Sequence, residues 1–252
     1  MIKLGELTHY LNDHLNCAEF NDYAPNGLQI EGKESINRIC TAVTASEEAI
    51  SAAVTLHADA LIVHHGFFWR NENPVITGMK QRRISKLLKN DMSLLAYHLP
   101  LDCHATLGNN ACIAKLLSLS SVKMHGVNSI KNLLWSGYLP QAMSGVQLSE
   151  FIATRFNRTP LYIAAHDQAI KSIAWCSGGA QNYIVEAHAL GVDAYLSGEV
   201  SEKTYYQAKE LGIHYYSCGH HATERYGVQA LGDYLATNFA LEHIYIESDN
   251  PI

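Results

Sequence analysis

The six cysteines lie scattered at Cys17, Cys40, Cys103, Cys112, Cys176 and Cys218, with no CxxC pair among them. That argues against a thiolate zinc site or a disulfide framework, and it fits the reduced, mostly buried thiols of a cytoplasmic protein. Long apolar runs are missing as well. The longest, such as Ala60 to Val63, are far too short to span a bilayer, and the polar, charged stretch from Met1 to Phe20 has no signal-like apolar core. No membrane association is expected. Basic charge is scarce too: Lys and Arg total 18 against 24 Asp and Glu, a net charge of −6. A global basic field is therefore absent, and nucleic acid is not the expected partner, although a local basic patch stays compatible with the count. The 17 glycines and 6 prolines show no period, which excludes collagen-like and low-complexity chains. There is no nucleophile elbow and no dinucleotide fingerprint. Ser177-Gly178-Gly179 could hold a phosphate on backbone N–H groups, but it lacks the Lys-Ser/Thr of a P-loop and reads better as a tight turn.

Hydrophobic residues make up 48% of the 252, enough to build one large α/β domain or two small lobes. Helical spacing marks Lys3–Leu15, Glu47–Leu56, Arg82–Leu88, Gly108–Leu117, Leu148–Phe156, Asn182–Leu190 and Glu202–Leu211, with a last helix from the His220 region to about Ala236. Short apolar runs predict strands at Ile39–Thr44, Ala58–Val63, Ser93–Tyr97, Ser172–Cys176, Val192–Leu196, Ile213–Ser217 and Glu242–Glu247. The loop Asp22-Tyr-Ala-Pro-Asn-Gly27 carries turn signals and leads into a further strand. Ser201 to Thr204 lacks the acidic fourth residue of a capping box.

The order of elements repeats. His57-Ala-Asp-Ala-Leu-Ile-Val63 lines up with Gly191-Val-Asp-Ala-Tyr-Leu-Ser197, 134 residues later, and each is preceded by strand and helix and followed by helix, strand, polar cluster and helix. The expected fold is α/β, built as two similar lobes: one over about residues 1–120, a connecting segment over about 121–168, and a second lobe over about 169–252.

Histidine is the informative excess. There are 14, and two pairs are adjacent, His64-His65 and His220-His221. Ligands gather at the carboxyl ends of strands in open α/β sheets. Four such ends carry donors here: His64 with His65, His98 with Asp102, Glu199, and His220 with Glu224. Side chains alternate along a strand, so His64 and His65 can diverge toward two different ions. His220 and Glu224, four apart, share one face if a helix begins there, and a Glu so placed can bridge two cations. Imidazoles mixed with carboxylates suit Zn, Fe, Mn or Ni better than Ca or Mg. Two such ions would activate a water for attack on an electrophile, with His98 as general acid or base or as a substrate contact. Each feature alone has a plainer reading: a capped strand end for His64-His65, an ordinary first-turn pair for His220 and Glu224, turn capping for Asp102. Trp69 and Tyr97 could stack on a planar substrate or simply pack. His221 reads as a supporting or surface group, and His9, His14, His57, His125, His166, His188, His214 and His243 read as surface or core histidines.

Val63-His-His-Gly66, His98-Leu-Pro-Leu-Asp102 with Gly108-Asn-Asn110, Ser197-Gly-Glu199, Gly219-His-His-Ala-Thr-Glu224 and Asp22-Tyr-Ala-Pro-Asn-Gly-Leu-Gln29 together resemble the Nif-three-like family. The match is to its short bacterial YbgI-type form, whose members are commonly labelled GTP cyclohydrolase I type 2 homologues. The resemblance implies two α/β lobes facing a central dinuclear metal site. It carries the ligands over as His64, His65, Asp102, His220 and Glu224, holding two divalent metal ions per chain. It also implies a toroidal homohexamer, a trimer of dimers, and a hydrolase acting on a nucleotide or other ring substrate through metal-activated water. The rivals are a two-metal phosphoesterase or amidohydrolase, and a non-enzymatic ring that binds metal or a partner.

Overall fold

Apolar runs closed by polar turns become parallel strands here, as expected for strands covered on both faces. The computed structural model describes residues 1–252 and divides into two units, one of residues 1–101 with 227–249, the other of residues 102–226 with 250–252. The first stretch gives β1 (Ile2–Lys3), α1 (Leu4–His14), β2 (Gly27–Ile30), β3 (Ser35–Ile36), β4 (Arg38–Thr44), α2 (Glu47–Thr55), β5 (Ala60–His65), α3 (Gly78–Lys89), β6 (Ser93–Ala96) and the short α4 (Leu99–Cys103). Next come α5 (Asn109–Leu116), β7 (Ser120–Val127), β8 (Ile130–Met143), α6 (Gly145–Phe156), β9 (Leu161–Ile163), β10 (Ile170–Trp175), α7 (Ile184–Ala189), β11 (Ala194–Ser197), α8 (Glu202–Leu211) and β12 (His214–Ser217). The long α9 (His220–Phe239) and β13 (Glu242–Tyr245) close the chain.

The first unit's sheet has the order β13-β4-β5-β6-β2, parallel except for β2. One face presents Cys40 and Ala42, Leu61 and Val63, Leu94 and Ala96 to Ala49, Ile50 and Ala53 of α2 and to Ile84 and Leu87 of α3. The alternate residues Ile39, Val43, Ala60, Ile62 and Leu95 are buried too. Helix α2 starts where it does because Ser46 accepts the Ala49 N–H at 3.0 Å, with Glu47 and Glu48 in the first turn favoured by the helix dipole. The second unit's six-stranded sheet has the order β7-β8-β10-β11-β12-β9, with β10, β11 and β12 parallel. Ala111, Ile113, Leu117, Leu148, Ile152 and Phe156, from α5 and α6, pack against Trp135, Ile173, Trp175 and Leu196.

Two boundaries differ from the sequential lobes expected. Residues 121–168 are no connector: β7, β8 and β9 are half of the second unit's sheet. Strand β7 lies at the edge with most side chains exposed, so it carries no apolar pattern to betray it. Strand β13, expected in the second lobe, pairs in parallel with β4 of the first unit. Local sequence predicts a strand, not the sheet it joins. At the start of α8, the Thr204 hydroxyl accepts the Ser201 N–H at 3.2 Å, so a capping box closes there without an acidic residue.

The two Asp-Ala segments fold alike. Asp59 Oδ2 accepts the N–H groups of Asn37 and Arg38 at 2.9 and 3.0 Å, and its own N–H donates to the Arg38 carbonyl. Asp193 Oδ2 accepts those of Lys171 and Ser172 at 2.8 and 2.9 Å, and its N–H donates to the Ser172 carbonyl. Both segments enter through left-handed residues, His57 at φ 54° and Gly191 at φ 71°. No helix is long and apolar enough to cross a membrane, and all six cysteines are free thiols.

Candidate metal centre

In the first unit, β5 ends on the histidine pair. His64 is fully buried and its Nδ1 bonds the Tyr97 carbonyl at 2.9 Å, while His65 Nδ1 lies 3.1 Å from Thr44 Oγ1. The rings diverge less than strand alternation implies: their centroids are 4.6 Å apart. The turn that follows is clamped by Gln29, whose Oε1 accepts the Phe67 N–H at 2.7 Å and whose Nε2 donates to the Phe67 carbonyl at 3.1 Å. A Cβ on Gly66 would overlap Gln29 and Ala96, so only glycine allows that clamp to close. His98 follows β6. Its backbone N–H donates to Asn26 Oδ1 at 2.7 Å and its Nδ1 lies 2.7 Å from Asp22 Oδ1. One nitrogen from each of His64, His65 and His98 lies within 4.8 Å of the others. Trp69 stands edge-on to His98 at 5.1 Å, whereas Tyr97 is a core residue whose hydroxyl donates to Asn12.

In the second unit, the carboxylates dominate. Asp102 and Glu224 are 5% and 2% exposed, and an oxygen of one lies within 4.8 Å of an oxygen of the other. Asp102 Oδ1 accepts from Asn109 Nδ2 at 2.9 Å and from Ser177 Oγ at 2.8 Å, which fixes its rotation. Asn110 holds the surrounding backbone: its Nδ2 donates to the Asp102 carbonyl at 3.2 Å and its Oδ1 accepts the Ser177 N–H at 3.0 Å. His220 opens α9 with Nδ1 2.7 Å from Glu199 Oε1 and Nε2 3.2 Å from Glu224 Oε2. Burial lowers the His220 pKa, but hydrogen bonds and charge from Glu224 and Glu199 override it and raise it to about 9. Gly178, at φ 66°, lets the backbone lie against Glu224, because a Cβ there would overlap the carboxylate. Its N–H donates to Thr223 Oγ1 at 2.9 Å, and the Ser177 N–H is taken by Asn110, so two of the three backbone donors of the Ser177-Gly178-Gly179 turn are committed within the protein.

Two carboxylates this close repel whenever both carry charge, by something on the order of 3 kcal/mol at an effective dielectric constant near 20. A cation relieves that repulsion. The donor set, with imidazoles beside carboxylates, suits a borderline transition metal, and the missing side chain at Gly178 leaves room for the Glu224 carboxylate to stand where it does. The residues therefore fit a divalent metal.

The sequence-predicted residues fall into two groups: His64, His65 and His98 in the first unit, and Asp102, His220 and Glu224, with Glu199, in the second. His221 is buried, with its N–H on the Ile252 carbonyl. Histidines read as ordinary make local contacts of their own: His243 with Thr41 and Asp233, His125 with Ser136, His14 stacked on Tyr10. Sequence reasoning gave no role to Asp22, Asn26, Gln29, Asn109, Asn110, Ser177 or Thr223. The polar clusters Asp22–Gln29 and Gly108–Asn110 were the available signal, since side chains of that kind next to a donor site tend to hold the donors.

The family model Duf34/NIF3 (NGG1p interacting factor 3) matches residues 2–251. A protein of Allochromatium vinosum called "GTP cyclohydrolase 1 type 2 homolog" is 49% identical over 251 residues, covering 100% of this chain and 98% of its own. A solved structure described as protein ybgI, of unknown function, superposes with a TM-score of 0.95 at 46% identity, covering 100% of both chains. Another, from Thermus thermophilus, gives 0.90 at 29% identity, again with both chains fully covered.

Proposed function

Because this chain belongs to the Duf34/NIF3 family, we propose that it holds two divalent metal ions and is a metal-dependent hydrolase of the cyclohydrolase-like kind named among its relatives. The observation that carries the reading is the pair of buried carboxylates, Asp102 and Glu224, within 4.8 Å of each other, with the His220 imidazole beside Glu224. In this reading His64, His65, Asp102, His220 and Glu224 hold the ions, which are Zn, Fe, Mn or Ni. When bound, such ions supply Lewis acidity that polarises an electrophile and lowers the pKa of water. The protein's own contribution is orientation. Tyr97 and Thr44 aim the His64 and His65 rings, Glu199 aims His220, and Asn109 with Ser177 fixes Asp102. His98 stands beside the first two ligands, where proton transfer and ligation are both open to it. The recurring Asp59 and Asp193 geometry supports a further part of the proposal, that the two units repeat one α/β plan. Free cysteines and the lack of an apolar spanning helix support a cytoplasmic place.

A second reading has its own support. Arg225, the nearest basic residue in sequence to the Glu224 motif, is committed to the Phe156 carbonyl and stacks on Tyr226. With that arginine engaged, a less charged substrate, or a metal-binding role without turnover, is favoured over a triphosphate.

Elemental analysis of wild type and Glu224→Ala, with GTP turnover assayed on the same samples, tests both. About two equivalents per chain, falling together with turnover in the variant, support the hydrolase. Two equivalents without turnover move the weight to the second reading, and no bound metal after reconstitution overturns the proposal.

A further inference from the structure

We propose that a cavity between the β7–β8 hairpin and the turn after α7 binds a phosphate group, either as the free ion or carried by a small organic ester. The cavity lies wholly within the second unit, and the proposal is independent of the metal reading.

Strand register builds the cavity. Ser136 and Ser172 lie on the face of the sheet opposite to Trp135, Ile173 and Trp175, which fill the core. Lys123 stands beside Ser136 in the pairing of β7 with β8. A polar outer face is ordinary for an antiparallel hairpin. Enclosure is not: the turn from Leu190 to Val192 walls one side and leaves a cavity of about 140 Å³, large enough for a phosphate group. Between Ser120 and Lys123 the edge strand carries an extra residue, and Ser121, at a left-handed φ of 50°, joins the lining there.

The lining suits an anion. It holds an ammonium, an imidazole and several hydroxyls, and no carboxylate. Asp193, the acid bonded to Ser172, already accepts from the Lys171 and Ser172 N–H groups and from the Ser172 hydroxyl, so its charge is met elsewhere. His125 Nε2 lies 2.8 Å from Ser136 Oγ. A neutral imidazole and a hydroxyl carry two such hydrogens between them, and their mutual bond uses one. In either tautomer the pair therefore keeps one N–H or O–H to give. Burial, then the charge of Lys123, lower the His125 pKa, which is the behaviour of an imidazole beside a cation with no counter-charge at hand. A phosphate dianion supplies that counter-charge, and its several acceptor oxygens match donors spread over β7 and β8. Tyr138, exposed on the same lining, offers its ring to the organic part of an ester.

Equilibrium dialysis of the full-length chain against labelled inorganic phosphate and labelled phenyl phosphate tests this, at about 0.15 M chloride so that unspecific charge attraction is screened. The chains compared are wild type, Lys123→Met, Ser136→Ala and Glu224→Ala, with folding checked by thermal melts. The expected result is one phosphate group per chain, with affinity reduced roughly tenfold or more in Lys123→Met, by less in Ser136→Ala, and not at all in Glu224→Ala. Tighter binding of phenyl phosphate assigns the site to an ester; equal or weaker binding assigns it to the free ion. Lys123 is exposed at the edge of the sheet, so its variant decides the matter even if Ser136→Ala fails to fold. Wild-type affinity in Lys123→Met overturns the proposal, and loss in Glu224→Ala would then place the ion at the candidate metal centre. No binding at about 10 mM phosphate, or acetate competing as well as phosphate itself, also overturns it.

Discussion

At the scale of single residues, much of the candidate site is set by what is too small to interfere. Gly178 sits at φ 66° against the Glu224 carboxylate and the Thr223 hydroxyl. Gly178→Ala meets two penalties at once, a strained backbone and an overlap with a carboxylate oxygen. The expected outcome is a stability loss of about 1–3 kcal/mol by urea unfolding and a clear drop in metal affinity by chelator competition. A variant with wild-type metal affinity would show that the Glu224 carboxylate need not stay where it is.

His214 carries a pH dependence of its own, at the other end of β12 from the His220 motif. It is fully buried at the start of β12, with Nδ1 3.0 Å from Tyr162 Oη and 3.3 Å from the Ala165 N–H, and Nε2 3.2 Å from His166 Nδ1. Burial, then the charge of His166, lower its pKa to about 4; Lys209 adds to this while Asp193 and Asp167 oppose it. The unfolded chain takes up this proton near pH 6.5 and the folded chain does not until about 4. Stability is therefore full above 6.5 and falls as the pH drops through that window, by something on the order of 3 kcal/mol. His214→Gln should flatten that part of a urea-midpoint profile; an unchanged slope would assign it to other groups. The residues legible in the sequence were those whose types are conspicuous, the adjacent histidines and the His-x-x-x-Glu pair. Asp22, Asn109 and Ser177 were not, because a polar loop residue shows its role only when the fold brings a donor to it.

At the scale of elements, the Asp-Ala segments show which part of the pattern was readable. Their order and spacing predicted matching strands, and β5 and β11 do begin one residue after Asp59 and Asp193. The carboxylates add something periodicity cannot show: each ties the start of one strand to its parallel neighbour. Both are held below the usual carboxylate range, with burial opposing and two backbone N–H bonds prevailing. Replacing either by alanine leaves two N–H groups without their acceptor, at a cost of about 2 kcal/mol. Asp59→Ala and Asp193→Ala should each lower the urea midpoint at pH 7, and losses below about 0.5 kcal/mol would show that water takes over the role. The edge strand β7 was the least readable element, whereas Leu133–Leu139 of β8 reads as a strand-like run. The solvent-facing residues of β7 remove the apolar alternation on which strand prediction depends.

At the scale of the whole molecule, β7 presents an open strand edge, and Val122, Met124 and Tyr138 are exposed on that hairpin. Monomers usually protect such edges. This supports the proposed homohexamer, and light scattering should give a mass six times 27.9 kDa. Val122→Lys with Met124→Lys should lower that mass if the edge is an interface, while a monomeric wild type would sink the hexamer. The mixed α/β class was legible throughout, because buried parallel strands betray themselves as continuous apolar runs. Which strands share a sheet was not, since pairing between β4 and β13 joins residues about 200 positions apart in the chain.

That pairing also sets a timetable. A ribosome releases the chain from the N-terminus, and β4 is made early, yet its outer neighbour, Glu242–Tyr245, emerges about 200 residues later. All of residues 102–226 are synthesised in between. Throughout that interval the first unit must either wait unfinished or hold β4 as a bare edge. A nascent chain arrested before residue 242 should therefore be the most aggregation-prone species on the way to the fold, and Glu242–Tyr245 the strand that seals it.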